Sequence, residues 1–350
     1  MKLVTGATGL VGSHLIMHLL DRNPDEKIVA LYRKNSKIES VKKIFGFYGK
    51  DSQALFDRIE WRRADILNYQ EILDVFDSVD EVYHCAAIVA FSKKEKNRVI
   101  ENNVRGTANM VNAALENNVK KFVYTSSVAA IGSNDGGIIT EETQAIPEEK
   151  ISVYSKSKFY AELEVWRGHE EGLNVVIVNP SIIFGIPTDW DSKLIGKLFW
   201  LIWKGFRFYS NGVMGYVDVN DVAKAMIMLA EREIYGERFI VNSENLSYKQ
   251  VFDMIADALG KPRPNMYAYD FLLTTAFYLD QIKSFLTPND PVLTKEIVKY
   301  AKQQDYYSSE KLLKALPDFK FTPIKETIDF MAKFFLAHVR KEEKSVLELV

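Results

Sequence analysis

The stretch that most constrains the fold is Met1 to Leu20, MKLVTGATGLVGSHLIMHLL. Lys2-Leu3-Val4 reads as the end of a buried strand, and Leu15, Ile16, Leu19 and Leu20 recur on one side of a helix. Between them stand Gly6, Gly9 and Gly12. A strand, a glycine turn and a helix in that order let backbone N–H groups and a helix N-terminus meet a pyrophosphate. Glycines also serve ordinary turns and close helix–strand packing, so the rest of the chain must decide between the two uses.

Beyond residue 20 short apolar runs alternate with helical patterns. Lys27–Tyr32, Ile59–Ile66, Glu81–Ala87, Lys121–Thr125 and Leu173–Val178 read as strands, with helical stretches at residues 36–60, Asn68–Phe76, Glu101–Asn117 and Val153–Trp166. This is the βαβ rhythm of an α/β fold, a Rossmann-type doubly wound parallel sheet. From about residue 182 the rhythm changes. Aromatic residues crowd between Trp190 and Tyr209, Gly215–Val222 begins a helix running to Leu229, and further helices are expected near 247–259, 268–286, 294–304 and 324–342. The expected organisation is a nucleotide-binding domain at 1–181 with a returning segment at about 213–245. A smaller, mostly helical C-terminal substrate-binding region takes about 182–212 and 246–340.

Composition excludes several functions. With 45 basic and 47 acidic residues the net charge is −2, so no global field draws the chain to nucleic acid. Cys85 is the single cysteine, which rules out an intrachain disulfide and any cysteine-rich metal site. With no leader pattern ahead of the first strand, a cytoplasmic location is expected. The apolar stretches Leu194–Tyr209 and Phe271–Leu286 are interrupted by charges and fall short of the ~20 uncharged residues of a span, so no integral membrane segment is expected. His14 and His18 lie one helical turn apart without a third ligand, so no metal site is expected.

The second strand ends in Arg33-Lys34-Asn35-Ser36-Lys37, with no acidic residue before Glu39. An acidic residue at that point would take the ribose hydroxyls of NAD, while cations accommodate a 2′-phosphate. Arg33, Lys34 and Lys37 therefore favour NADP(H), with NAD(H) as the alternative. Tyr154 and Lys158 are four apart and share one helix face. They lie downstream of Ser126-Ser127, which ends a strand.

In that order these features resemble an extended short-chain dehydrogenase/reductase over nearly the whole chain. The matching pieces are Thr5–Gly12, Asp65, His84–Ala87, Asn103–Thr107, Thr125–Ser127, Tyr154–Lys158, Asn179–Ser181, Tyr216–Ala223 and Tyr307–Lys311. The resemblance implies that Gly6, Thr8, Gly9, Leu10, Val11 and Gly12 hold the pyrophosphate. Asp65 and Ile66 would flank the adenine, and Ala86, Ala87, Pro180 and Ser181 would line the dinucleotide path. Ser127, Tyr154, Lys158 and Asn103 would be the catalytic set, with Ser126 an open alternative to Ser127. Val128 and Ala129 stand where sugar dehydratases of the group carry an acid/base pair, and Asn179-Pro180-Ser181 is more similar to dihydroflavonol and cinnamoyl-CoA reductases and to hydroxysteroid dehydrogenases.

Chemically, a carbonyl receiving hydride develops alkoxide charge and needs a proton donor within reach. Lys158, with an oxidised nicotinamide, is expected to lower the pKa of Tyr154 from about 10. The expected activity is NADP(H)-dependent interconversion of a carbonyl and an alcohol on a small, lipophilic or ring-bearing substrate. A nucleotide-sugar epimerase with tightly bound NAD and a non-catalytic dinucleotide sensor are the alternatives. The resemblance also implies a homodimer through a helix pair. Cys85 is expected to be an inert buried thiol.

Overall fold

The computed structural model describes residues 1–90, 93–132, 137–144, 152–190, 194–269 and 301–347. Seven parallel strands form one sheet: β1 (Lys2–Thr5), β2 (Ile28–Tyr32), β3 (Ile59–Arg63), β4 (Glu81–His84), β5 (Lys121–Thr125), β6 (Val175–Pro180) and β7 (Glu237–Val241). Their spatial order is β7-β6-β5-β4-β1-β2-β3. Strand order reverses between β1 and β4, where ligands of such sheets bind outside the carboxyl ends.

Side chains alternate across the sheet as the two-residue period of a strand requires. Val4, Ala30, Tyr83, Val123 and Val176 enter one apolar core, with the Leu10–Arg22 and Val219–Glu231 helices. Leu3, Val29, Val82, Phe122 and Val175 enter the other, with the Gly106–Glu116 and Val153–Glu170 helices. Because both faces are covered, inner strands such as β1, β2 and β6 read as near-continuous apolar runs, while the edge strand β3 (Ile-Glu-Trp-Arg-Arg) does not.

Two expectations about elements are corrected. Gly215–Asp218 does not begin a helix; it belongs to a strand, Val213–Asp218, paired with Ile182–Phe184 and Glu244–Ser247. The helix starts only after Asp218, whose carboxylate accepts the Asn220 N–H at 2.6 Å. Nor is Glu101–Asn117 a uniform α-helix. Glu101–Arg105 is a π-helical turn, and the α-helix begins at Gly106. The helix expected near 268–286 falls almost entirely outside the described residues; of that expected near 294–304 only 301–304 are described, and they form a turn and a bridge from Gln304 to Val213 rather than helix.

The aromatic stretch after Trp190 builds a third core. Phe199 and Ile202 are fully buried against Trp190 and Phe335, while Trp200 and Trp203 lay their rings edge-on to Phe335. Much of that aromatic content therefore serves packing. Among the described residues no helix is long and apolar enough to cross a membrane.

A directed polar chain locks the switch point. Thr107 Oγ1 donates to the Asn103 carbonyl at 2.6 Å, so it must accept from His84 Nε2–H at 3.0 Å. His84 Nδ1 then accepts from the Thr5 hydroxyl at 2.7 Å, and that oxygen accepts the Ala86 N–H at 3.1 Å. His84 is fully buried and must be neutral to play both parts; burial, reinforced by Lys158, lowers its pKa to about 3.

Two outcomes are expected. A Cβ at Gly12 would collide with the Gly6 carbonyl oxygen. Gly12→Ala should therefore lower stability by about 1–3 kcal/mol in urea unfolding. Because the folded pKa of His84 lies below its value of 6.5 in the unfolded chain, the unfolded state binds more protons between pH 6.5 and 3. Stability should fall as pH is lowered through that window, and His84→Gln should flatten the slope in urea melts from pH 7 to 4.

Candidate active site

The carboxyl ends of β1, β4, β5 and β6 converge on one edge of the sheet. At β1 the chain turns at Gly6, whose φ of +64° is a left-handed conformation that glycine alone adopts freely. A Cβ there would lie 2.7 Å from the Cys85 carbonyl carbon and oxygen and 2.8 Å from the Ala86 nitrogen. Gly9 N–H closes the turn on the Gly6 carbonyl at 2.8 Å, and Gly9 caps the first helix. Gly6, Thr8, Gly9, Leu10 and Val11 stay partly open to solvent, while Gly12 is buried beneath them. A helix N-terminus with no Cβ in front of it is a cradle for phosphate, so the residues present fit a dinucleotide.

Arg33 and Lys34 are exposed just beyond β2, in a turn closed by the Arg33 N–H on Ser36 Oγ at 3.0 Å. Lys37 is drawn elsewhere: its ammonium lies 3.3 Å from Asp189 Oδ2. After β3, Asp65 Oδ1 accepts the Leu67 N–H at 3.0 Å, and Ile66 packs under Gly106. Ala86 and Ala87 leave β4 with partial to full exposure. Ser181 N–H donates to the Val241 carbonyl at 3.2 Å, which fixes Pro180-Ser181 beside β7.

Asn103 sits in the π-helical turn, a feature frequent at functional sites. Its carboxamide clamps the loop after β4, accepting the Ile88 N–H at 2.8 Å and donating to the Ile88 carbonyl at 3.0 Å. It also donates to Ser157 Oγ at 2.9 Å, and Ser157 donates to the Tyr154 carbonyl at 2.7 Å. Asn103 thus ties the loop to the first turn of the Val153–Glu170 helix.

The two serines after β5 face different partners. Ser126 is buried and donates to Glu162 Oε2 at 2.6 Å. Ser127 is half-buried, and its hydroxyl lies beside the Tyr154 phenol. The geometry therefore brings Ser127, not Ser126, to Tyr154.

Lys158 lies one helical turn beyond Tyr154 on the Val153–Glu170 helix. Its ammonium is fully buried and donates to Tyr124 Oη at 2.9 Å and to the Thr125 carbonyl at 2.7 Å. Burial lowers its pKa to about 7, against the opposing charge of Glu162. Tyr154 is correspondingly not lowered. Burial raises its phenol above the ordinary value, and the Ser127 hydrogen bond only partly opposes that. The reason is the dry setting, which disfavours a phenolate.

Tyr124 escapes sequence reasoning, since a tyrosine inside an apolar strand reads as core. Glu162, Asn179 and Arg238 escape it as a group, although Lys158-x-x-x-Glu162 continues the spacing of Tyr154-x-x-x-Lys158. Cys85 is half-buried overall; burial of its thiol pushes the pKa up to about 12, and Thr125 Oγ1 lies 3.3 Å from its sulfur. His14 Nδ1 is 2.8 Å from the Leu10 carbonyl, and His18 Nε2 is 3.0 Å from Asn220 Oδ1. Among the described residues no cluster of three or more His, Cys, Asp or Glu side chains could hold a metal.

The chain is similar to several known proteins. A sterol demethylase protein B of Methylococcus capsulatus is 30% identical over 265 residues, covering 75% of this chain and 76% of its own. Cinnamoyl-CoA reductase 1 of Petunia hybrida is 28% identical over 272 residues, covering 72% and 75%. The UDP-glucuronic acid 4-epimerase of Bacillus cereus, solved with UDP-glucuronic acid and NAD, superposes with a TM-score of 0.74 over 96% of this chain and 99% of that one. At 19% identity that last likeness speaks for the fold alone. Residues 2–241 match the family described as the NAD dependent epimerase/dehydratase family. The match runs from the first residue of β1 to the last of β7, and on that ground the chain belongs to the NAD-dependent epimerase/dehydratase family of NAD(P)-dependent enzymes.

Proposed function

We propose that the protein is an NADP(H)-dependent oxidoreductase interconverting a carbonyl and an alcohol on a lipophilic or ring-bearing substrate. The observation that carries this reading is the placement of the Ser127 hydroxyl beside the Tyr154 phenol at the carboxyl edge of β5, with Lys158 one helical turn further on. Bound NADPH would supply the hydride. Ser127 would hydrogen-bond the substrate carbonyl oxygen, and the Tyr154 phenol would deliver the proton as charge develops there. A raised phenol pKa keeps that proton in place until it is needed. Lys158 would hold the phenolate left behind, and by resemblance reaches the nicotinamide ribose. Asn103 would keep the loop after β4 and the Tyr154 turn in register.

Preference for NADP(H) rests on Arg33 and Lys34, exposed beyond β2 with no carboxylate before Glu39. Lys37 is a weaker candidate because Asp189 holds it. The substrate class is supported by the names of two relatives, one a sterol demethylase protein and one a cinnamoyl-CoA reductase. A second reading, a nucleotide-sugar epimerase with tightly held NAD, is supported by the family match. It differs in requiring no net consumption of reduced cofactor.

Tyr154→Phe should reduce turnover of a carbonyl panel (a dihydroflavonol, a hydroxycinnamoyl thioester, a 3-ketosteroid) by about 10²–10⁴-fold while leaving NADPH binding intact. Retained turnover would refute the proton-donor role. Fluorescence titration should show NADPH binding tighter than NADH, and Arg33→Ala should close the gap; equal affinities in the parent protein would refute the cofactor assignment.

A further inference from the structure

Just beneath the site lies a buried carboxylate with no part in the chemistry above. Glu162 is 3% exposed, one turn beyond Lys158 on the same helix. Its Oε2 accepts from Ser126 Oγ at 2.6 Å and from Asn179 Nδ2 at 2.9 Å, and its Oε1 accepts from Arg238 Nη1 at 3.0 Å. One carboxylate thus gathers the carboxyl end of β5, the carboxyl end of β6 and a side chain of β7. Arg238 is fastened in turn by the Glu141 carbonyl, and Glu141 Oε1 accepts the Ile240 N–H at 2.8 Å.

The three residues at the end of β5 are therefore held at successive points. Lys158 donates to the Thr125 carbonyl at 2.7 Å, Glu162 takes the Ser126 hydroxyl, and Asn179 Nδ2 donates to the Ser127 carbonyl at 3.1 Å. Ser127 has extended backbone, φ −164° and ψ 152°. Consecutive side chains on extended backbone point to opposite sides. Pinning Ser126 onto the helix side of the sheet turns Ser127 away from it, to the open edge where it meets Tyr154.

We infer that Glu162 is a positioning residue. It sets Ser127 against Tyr154 through Ser126 and Asn179, and its carboxylate lies one helical turn beyond the Lys158 ammonium. The inference rests on the proposed reductase reading, since it assigns Ser127, Tyr154 and Lys158 their roles. A buried carboxylate is expensive unless fully hydrogen-bonded, and one ion pair is seldom retained for stability alone. Here Ser126 and Asn179 satisfy Oε2, Arg238 satisfies Oε1, and the Lys158 charge lies nearby. The groups facing Lys158 are Glu162 on its own helix, His84 and Cys85 at the end of β4, and Tyr124 on β5. Of these Glu162 is the one carboxylate, ion-paired to Arg238 at 3.0 Å, while burial keeps His84 and Cys85 uncharged.

Two variants separate position from charge. Glu162→Gln removes the charge; Ser126→Ala removes one tether and leaves the charge. Both should lower kcat about 10- to 100-fold on the carbonyl panel, with the NADPH dissociation constant little changed. Crystal structures should show Ser127 Oγ out of hydrogen-bond reach of Tyr154 in each, a readout that needs no substrate. The alkaline limb of kcat/KM should move to lower pH by about one unit in Glu162→Gln and stay in place in Ser126→Ala, because only the first withdraws charge from Lys158. Loss of thermal stability with Ser127 in place and both limbs unmoved would overturn the inference and leave Glu162 a structural residue. Absence of NADPH-dependent turnover of the carbonyl panel by the parent protein would instead overturn the reductase reading, whatever position Ser127 takes in the variants.

Discussion

Everything at this site depends on how closely two backbones approach each other. The turn after β1 passes so near the end of β4 that Cys85 and Ala86 backbone atoms occupy the place of a side chain at Gly6, and the Gly6 carbonyl occupies that of Gly12. Because β1 and β4 are neighbours on either side of the reversal in strand order, that contact also opens the crevice. Removing side chains there exposes the N–H groups of the first helix to whatever anion fills the cradle. The apolar cores on both faces hold the strands at this spacing, and the Thr5–His84–Thr107 chain fixes β1, β4 and the Gly106–Glu116 helix to one another.

The second organising element is charge in a dry place. Lys158 is buried beside Tyr124 and one helical turn from Tyr154, and without Glu162 one turn on, burial would push its pKa still further down. The opposing trends of Lys158, lowered, and Tyr154, raised, have the same cause, desolvation of the charged form. A site built this way holds a neutral phenol and a readily released ammonium proton, a combination suited to delivering a proton to a developing alkoxide. At the strand ends the Thr125 carbonyl, the Ser126 hydroxyl and the Asn179 Nδ2 group are each bonded within this frame.

Much of this is legible in the sequence. The parallel sheet follows from apolar runs alternating with helical patterns, and the cradle from glycines at a strand–helix junction. Tyr154 and Lys158 are visible because helical spacing is a local property. Direction in space is what local reading cannot supply. Ser126 and Ser127 are chemically identical, and only the tie of Ser126 to Glu162 tells them apart. Gly215–Asp218 reads as helical because its apolar residues suit either state, and pairing with Ile182–Phe184 and Glu244–Ser247 decides for a strand. Nor could local reading show that folding brings Asp189, 152 residues away, beside Lys37. Tyr124 carries a hydroxyl that only tertiary packing shows to be Lys158's partner.

The central claim is that hydride passes between a nicotinamide and a substrate carbon with net change in redox state. Turnover of the carbonyl panel with NADPH deuterated at the transferring C4 position tests it most directly, by mass spectrometry of the alcohol. The account predicts one deuterium on the carbinol carbon for each NADPH oxidised. Product formed without label and without net NADPH oxidation would contradict it and favour an epimerase.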